Sequence, residues 1–319
     1  MITNDSDLKL LAYIYHNNRE PLTKIARETK LTRKQVEYKI NQFTKQGIIK
    51  RYLTLFNYGK LGYPNYIFLL VKFEKFSSIT NFTKELKNNK NLISFGECFG
   101  KYDLFLNLVF KNEKEINNFL LNLNDNKDAI ISDYLIIKPY LTEFHPLKLF
   151  SPKERKILPL AFPDETESKL DKNEIEILKL LEKDGKIKVI EIAKKLNMSA
   201  ELTLHKLKKL QKENVIVGSR LFLDMKKLGY NYSGFFIHFK NMSTTTKDKI
   251  INYTRNHKLV NALVLSASKP NCFIQVFHKT DDELKTTIKE FKETFKEQSF
   301  EMEVLLINEE EKINTLPFL

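Results

Sequence analysis

Thr32, Arg33, Lys34, Gln35 and Tyr38 stand together early in the chain, and side chains of these types can recognise the edges of nucleic-acid bases. Arginine and lysine donate to guanine O6 and N7, while glutamine can pair with adenine through one donor and one acceptor. Lys45, Lys50 and Arg51 follow where phosphate contacts would fall, and such contacts position a protein on a duplex without reading its sequence. This chemistry requires a helix that points the first group outward. Thr32 is a favoured N-cap type. Val36, Ile40 and Phe43 recur at i, i+4 and i+7 and make one apolar stripe. Gly47 suits the positive φ that ends a helix. The spacing therefore predicts a helix over 32–46 with Arg33, Lys34, Gln35 and Tyr38 on its solvent side and Glu37 as an acidic neighbour.

The elements around that helix complete a unit. Leu8, Leu11 and Ile14–Tyr15 predict a helix over 7–17, ended by the polar run Asn17–Pro21. A short helix follows from Thr23 to about Thr29, and β-prone residues 48–56 read as a strand or small wing. The sum is a winged helix-turn-helix. It is written twice: residues 7–63 and 174–230 match at a constant offset of 167, with Ile25-Ala26 on Ile192-Ala193 and Lys60–Tyr63 on Lys227–Tyr230. In the second copy Ser199 caps the equivalent helix. Its candidate DNA-facing residues are Thr203, His205, Lys206, Lys208, Lys209 and Lys212. Ala200-Glu201-Leu202-Thr203 replaces Arg33-Lys34-Gln35-Val36, so the two heads are expected to read unlike half-sites.

Charge follows the repeat. The net charge of +13 divides into +7 for residues 1–63, 0 for 64–145, +1 for 146–170, +5 for 171–230 and 0 for 231–319. Concentrated basic charge is the electrostatic footprint of a phosphate-binding surface, so double-stranded DNA is the expected partner. No apolar stretch is long enough for a membrane span and no leader is expected at the start. Two lone cysteines, Cys98 and Cys272, fit a reducing cytoplasm.

After each head the pattern is strand, helix, two strands, helix, strand. The first set falls at 66–73, 77–89, 92–99, 103–110, 113–123 and 130–138. The second falls at 233–239, 245–256, 259–266, 272–278, 280–297 and 300–307. The expected fold class is α+β: two winged helix-turn-helix domains (1–63 and 171–230) alternating with two ferredoxin-like βαββαβ domains (64–145 and 231–308). Residues 146–170 are expected to be an extended linker and 309–319 an acidic tail. The apolar runs 135–137, 235–237 and 304–307 would pack the two sheet domains together as an internal pseudo-dimer.

This plan resembles the Lrp/AsnC (feast/famine) family of transcriptional regulators, in tandem form. Gly100-Lys101-Tyr102-Asp103-Leu104 is similar to the family's effector-domain hairpin. The resemblance implies self-association through the sheet domains and response to an amino acid or related small molecule, with Gly96, Gly100, Tyr102 and Asp103 as effector-site candidates. Gly and Asp are also simply good turn residues between strands. Ser266–Phe273 stands in the corresponding place of the second half without that glycine and aspartate, so a ligand is expected in the first half only.

Two rival functions follow from the same residues. Siroheme decarboxylases join a similar helix-turn-helix to a βαββαβ domain, but their histidine-bearing hairpin is replaced here by Glu97–Asp103. An architectural DNA protein without an effector is the other. The six histidines show no metal-ligand spacing, and no phosphate loop or nucleophile set can be assigned. The expectation is a DNA-binding regulator with no catalytic residues, no metal and no cofactor.

Overall fold

The computed structural model describes residues 4–75, 77–125, 130–162, 165–311 and 313–319; residues 1–3, at the start of the expected first head, lie outside it. The first head is α1 (Asp5–Asn17), α2 (Leu22–Thr29), α3 (Arg33–Lys45) and β1 (Ile49–Phe56). The first sheet domain is β2 (Asn65–Phe73), α4 (Ser78–Leu86), β3 (Leu92–Phe99), β4 (Leu104–Phe110), α5 (Glu113–Asn124) and β5 (Ile131–Ile137), followed by β6 (Pro139–Phe144). The second head is α6 (Lys172–Lys183), α7 (Val189–Lys195), α8 (Ala200–Lys212) and β7 (Ile216–Leu223). The second sheet domain is β8 (Asn231–Phe239), α9 (Thr244–Asn256), β9 (Val260–Ser266), β10 (Cys272–His278), α10 (Asp281–Thr294) and β11 (Phe300–Glu311).

Strand alternation sorts each apolar run between two cores. Ile67, Leu69, Val71 and Phe73 of β2 pack under α4 and α5 with Phe82 and Ile116. Phe68 and Leu70, on the other face, meet Phe236, Phe273, Leu305 and Ile307 of the second half. Phe68 stacks on Phe273 at 5.3 Å and on Phe236 at 6.2 Å between ring centroids. In β8 it is Phe235, Ile237 and Phe239 that turn toward α9 and α10. The apolar runs read as the pseudo-dimer interface thus contribute only every second residue to it.

The nine strands other than β1 and β7 form one sheet in the order β5-β2-β4-β3-β11-β8-β10-β9-β6. Its two ends are joined through Lys138, which alone separates β5 from β6. The first half of β11 pairs with β8, and its end crosses to β3, with Leu306 opposite Phe99 and Glu311 opposite Phe95. At the 167-residue offset, β6 makes the equivalent crossing and pairs with β9, Pro139 opposite Ser266 and Phe144 opposite Ala262. Each half therefore completes the other's sheet edge.

The wings are exchanged as well. β1 and β7 pair with each other as a two-stranded antiparallel ribbon, with Leu53 opposite Arg220. The sequence suggested a wing within each head, whereas each head contributes one strand and finds its partner in the other. Pairing across halves satisfies backbone groups that a lone strand would leave open.

Two expectations about irregular segments change. The described residues of 146–170 are fastened down: Phe144 bridges Leu158, the backbone N–H groups of Leu160 and Ala161 donate to Thr142 Oγ1 at 2.8 and 2.7 Å, and Lys60 Nζ meets Glu165 at 2.8 Å. The expected acidic tail is not a free tail. β11 runs on to Glu311, Leu316 is buried in the core of the second head, and Phe318 stacks on Tyr63 at 3.7 Å.

Candidate nucleic-acid interface

The first head builds its reading helix as the cap residues require. Thr32 Oγ1 accepts the Gln35 N–H at 3.2 Å while Gln35 Oε1 accepts the Thr32 N–H at 2.8 Å, a reciprocal capping box. Val36, Ile40 and Phe43 are buried, which turns the opposite face to solvent. Arg33 and Lys34 are exposed and make no hydrogen bond or ion pair with a described residue. Tyr38 is 65% exposed and its hydroxyl accepts from Gln42 Nε2 at 3.1 Å. Lys45 is exposed near the far end of the same helix. Gln35 is corrected in part: its acceptor oxygen is committed to the cap, so a two-point pairing with adenine would have to break that cap. Lys30, two residues ahead of the cap, is exposed in a left-handed turn with φ 56°.

Two basic residues expected at phosphate have other occupations. Arg51 donates to Glu182 Oε1 at 2.7 Å, to the Glu182 carbonyl at 2.6 Å and to the Ile313 carbonyl, so it ties β1 to α6 and the C-terminal segment. Lys50 lies 3.9 Å from Asp224 and over the Phe222 ring at 5.6 Å, facing the second head.

The second head departs further. Ser199 caps α8 by accepting the Leu202 N–H at 3.1 Å. Thr203 is corrected: it is fully buried, and its hydroxyl donates to the Ser199 carbonyl at 2.9 Å. It holds the position of Val36 in the repeat, which was the signal for burial. Lys206 and Lys209 are corrected too. Lys206 pairs with Asp171, and Lys209 Nζ meets Glu174 at 2.8 Å, so the capping carboxylates of α6 neutralise both. His205, Lys208 and Lys212 remain exposed. Beside them Leu202 and Leu204 are also exposed, at 45% and 42%.

The hairpin residues named as effector candidates are occupied by the fold. Gly96 is buried in β3 between Phe105 and Glu310. Gly100 has φ 139°, and a Cβ there would lie 2.6 Å from Leu305 Cδ2. Tyr102 is buried in the inter-sheet core. Asp103 Oδ2 accepts the Phe73 N–H at 2.9 Å and Oδ1 faces Lys72 Nζ at 2.9 Å. In the second half Asn271 Oδ1 accepts the Phe239 N–H at 3.0 Å, and Asn271 Nδ2 donates to the Phe239 carbonyl at 2.9 Å. The aspartate missing from the second hairpin has thus been replaced in its structural task.

Comparison with known proteins agrees with this architecture. The family of winged helix-turn-helix DNA-binding domains matches residues 3–50 and again 170–217. The HTH-type transcriptional regulator FL11 of Pyrococcus furiosus is 28% identical over 115 residues, covering 35% of this chain and 74% of that protein. An uncharacterized HTH-type transcriptional regulator of Pyrococcus horikoshii is 24% identical over 149 residues, 46% of this chain and 99% of its own length. One copy of the repeat is thus the size of that whole relative. Among solved structures, the siroheme decarboxylase NirDL superposes with TM-score 0.63 at 17% identity, covering 99% of this chain and 96% of that one. At that identity the likeness is one of fold. The chain thus carries two winged helix-turn-helix domains of the DNA-binding family, one in each copy of a plan written twice in one polypeptide.

Proposed function

We propose that the chain binds double-stranded DNA as a sequence-selective regulator of transcription, with α3 as its principal reading element. The observation that carries this is the first turn of α3, where Arg33 and Lys34 are exposed and unpaired with any described residue. Thr32, Tyr38 and Lys45 share that exposed surface and would extend it along the groove. The partial positive charge of the helix N-terminus adds to the attraction for a phosphate-lined surface. Relatives named as transcriptional regulators support the same reading.

The second head serves as an anchor in this proposal. Ala200, Glu201 and Leu202 offer no two-point base contact, whereas Lys208 and Lys212 suit phosphate. Both heads hang from the single β1–β7 ribbon, so once α3 is docked the second engagement is intramolecular and its effective concentration rises. The target is two unlike half-sites on one duplex, and the cytoplasm is the matching location.

A catalytic role has less support. The segment Glu97–Asp103 carries no histidine, and the likeness to a decarboxylase is one of fold. An amino-acid response through Gly96, Gly100, Tyr102 and Asp103 is also weakened, since Asp103 and Tyr102 are already engaged. The test is selection of a preferred duplex from a random pool with the full chain, then anisotropy titrations at several salt concentrations. The preferred duplex should bind at least roughly a hundredfold tighter than random sequence. Arg33→Ala with Lys34→Ala should collapse that ratio; an unchanged ratio would refute α3 as the reader.

A further inference from the structure

Between the β1–β7 ribbon and the inter-sheet core lies an open-mouthed cavity of about 140 Å³. Its walls are dominated by aromatic rings from both halves, among them Tyr15, Tyr66, Phe68, Tyr232 and Phe273. The polar groups on its lining are mostly spoken for. Tyr66 Oη donates to Asn107 Oδ1 at 2.7 Å, Asn107 Nδ2 reaches Glu310 Oε1 at 3.3 Å, and Ser94 donates to the same carboxylate oxygen. Glu143 is held by Arg255, whose Nε donates at 3.0 Å, and by His145 at 3.1 Å.

Arg220 is the exception. It lines this cavity at 8% exposure, its side chain forms no hydrogen bond or ion pair with a described residue, and its Nε is buried without a partner. The contacts it does make are with ring faces, 4.0 Å to the centre of Phe144 and 6.0 Å to that of Tyr15. A guanidinium keeps its proton in any protein setting, so this buried charge persists and lacks an anion. Aromatic faces compensate only part of that deficit. The repeat sharpens the point: Leu53 stands opposite Arg220 in the ribbon and at its place in the first copy, so the fold does not need a cation there.

We infer that this cavity binds a small molecule with an apolar or aromatic body and a single carboxylate or similar anionic group, which Arg220 receives. A macrocycle carrying many carboxylates does not fit the same wall, because among the described residues Lys226 is the one other cation on the lining and Glu143 and Glu310 oppose it. The site is separate from the Gly100–Asp103 hairpin, and the inference stands independently of the DNA-binding proposal.

The experiment uses the full chain and two fluorescent probes that differ in charge. 1-Anilinonaphthalene-8-sulfonate carries the anion, and N-phenyl-1-naphthylamine is its neutral counterpart. Each should bind one per chain with increased emission. Arg220→Leu, which installs the residue found at position 53, should weaken the sulfonate at least tenfold and leave the neutral probe unchanged. Arg220→Lys should retain part of the sulfonate affinity, and it carries the test if the leucine variant does not fold. Failure of both probes to bind stoichiometrically, or equal loss of the two in either variant, would overturn the inference.

Discussion

Asp103 and Asn271 hold the same place in the two halves and accept the same hydrogen bond, from the Phe73 N–H at 2.9 Å and from the Phe239 N–H at 3.0 Å. Their own backbone N–H groups also correspond, donating to Val71 and Ile237 at 2.9 and 3.1 Å. A carboxylate in one half and an amide in the other do the same work, which identifies the work as fastening a hairpin to the strand beside it.

Asp103→Asn should therefore be nearly silent, because the second half already uses the amide. Asp103→Ala and Asn271→Ala should each cost about 1–3 kcal/mol by leaving a buried N–H without its acceptor. Urea unfolding of the three variants checks this. A destabilised asparagine variant beside an unaffected alanine variant at Asp103 would contradict it.

Arg51→Ala should lower stability by about 1–3 kcal/mol while leaving the salt dependence of DNA binding unchanged, since its guanidinium serves Glu182 and the Ile313 carbonyl. Thermal melts and anisotropy titrations on the same preparation separate the two effects. A flatter salt slope with unaltered stability would return Arg51 to the phosphate backbone.

Lys208→Ala and Lys212→Ala should each reduce the slope of log affinity against log salt by about 0.9 without changing the preferred sequence. Lys206→Ala should change that slope little, because Asp171 and Glu174 already neutralise its charge. The comparison is informative because all three lysines lie on one helix.

Acid should weaken the fold in two stages. Burial holds the His16 imidazole neutral and pushes its pKa from 6.5 down to about 3. The unfolded chain then takes the proton first, so this stabilisation is complete above 6.5 and lost as pH falls toward 3. At Glu143 burial alone would raise the carboxyl, but hydrogen bonds from His145 and Arg255 outweigh it and bring its pKa from 4.5 down to about 2. Its contribution is present above 4.5 and lost below. His16→Gln keeps a donor for the Lys156 carbonyl and should remove about 2 kcal/mol of the pH dependence between 6.5 and 4.5. Denaturant midpoints across that range measure it, and an unchanged acid limb would count against His16 as its source.

What the sequence disclosed was local. The caps at Thr32 and Ser199, the stripe Val36–Ile40–Phe43 and the order of elements depend on neighbours a few positions away, and periodicity carries them. The exchange of β6 and the end of β11 was hidden, because a strand's partner is set by contacts more than a hundred residues distant. The same limit applies to Lys206: its exposed-looking place on the helix conceals Asp171, which another helix brings to it. Thr203 was legible, since the repeat aligned it with buried Val36, but a hydroxyl at the start of a helix invites a functional reading. Arg220 gave no local sign at all; only the ribbon and the cavity beneath it single it out.

Because each copy finishes the other's ladder, neither closes its own sheet edge in this chain. A recombination event that excised one would release a protein with raw strand edges, ready to join any strand it met. Divergence after duplication is then channelled to places outside that shared ladder, such as the opening turns, where Arg33 in one copy answers to Ala200 in the other. A symmetric dimer could not hold one guanidinium opposite one leucine at its axis. Joining the copies end to end made Leu53 and Arg220 free to differ.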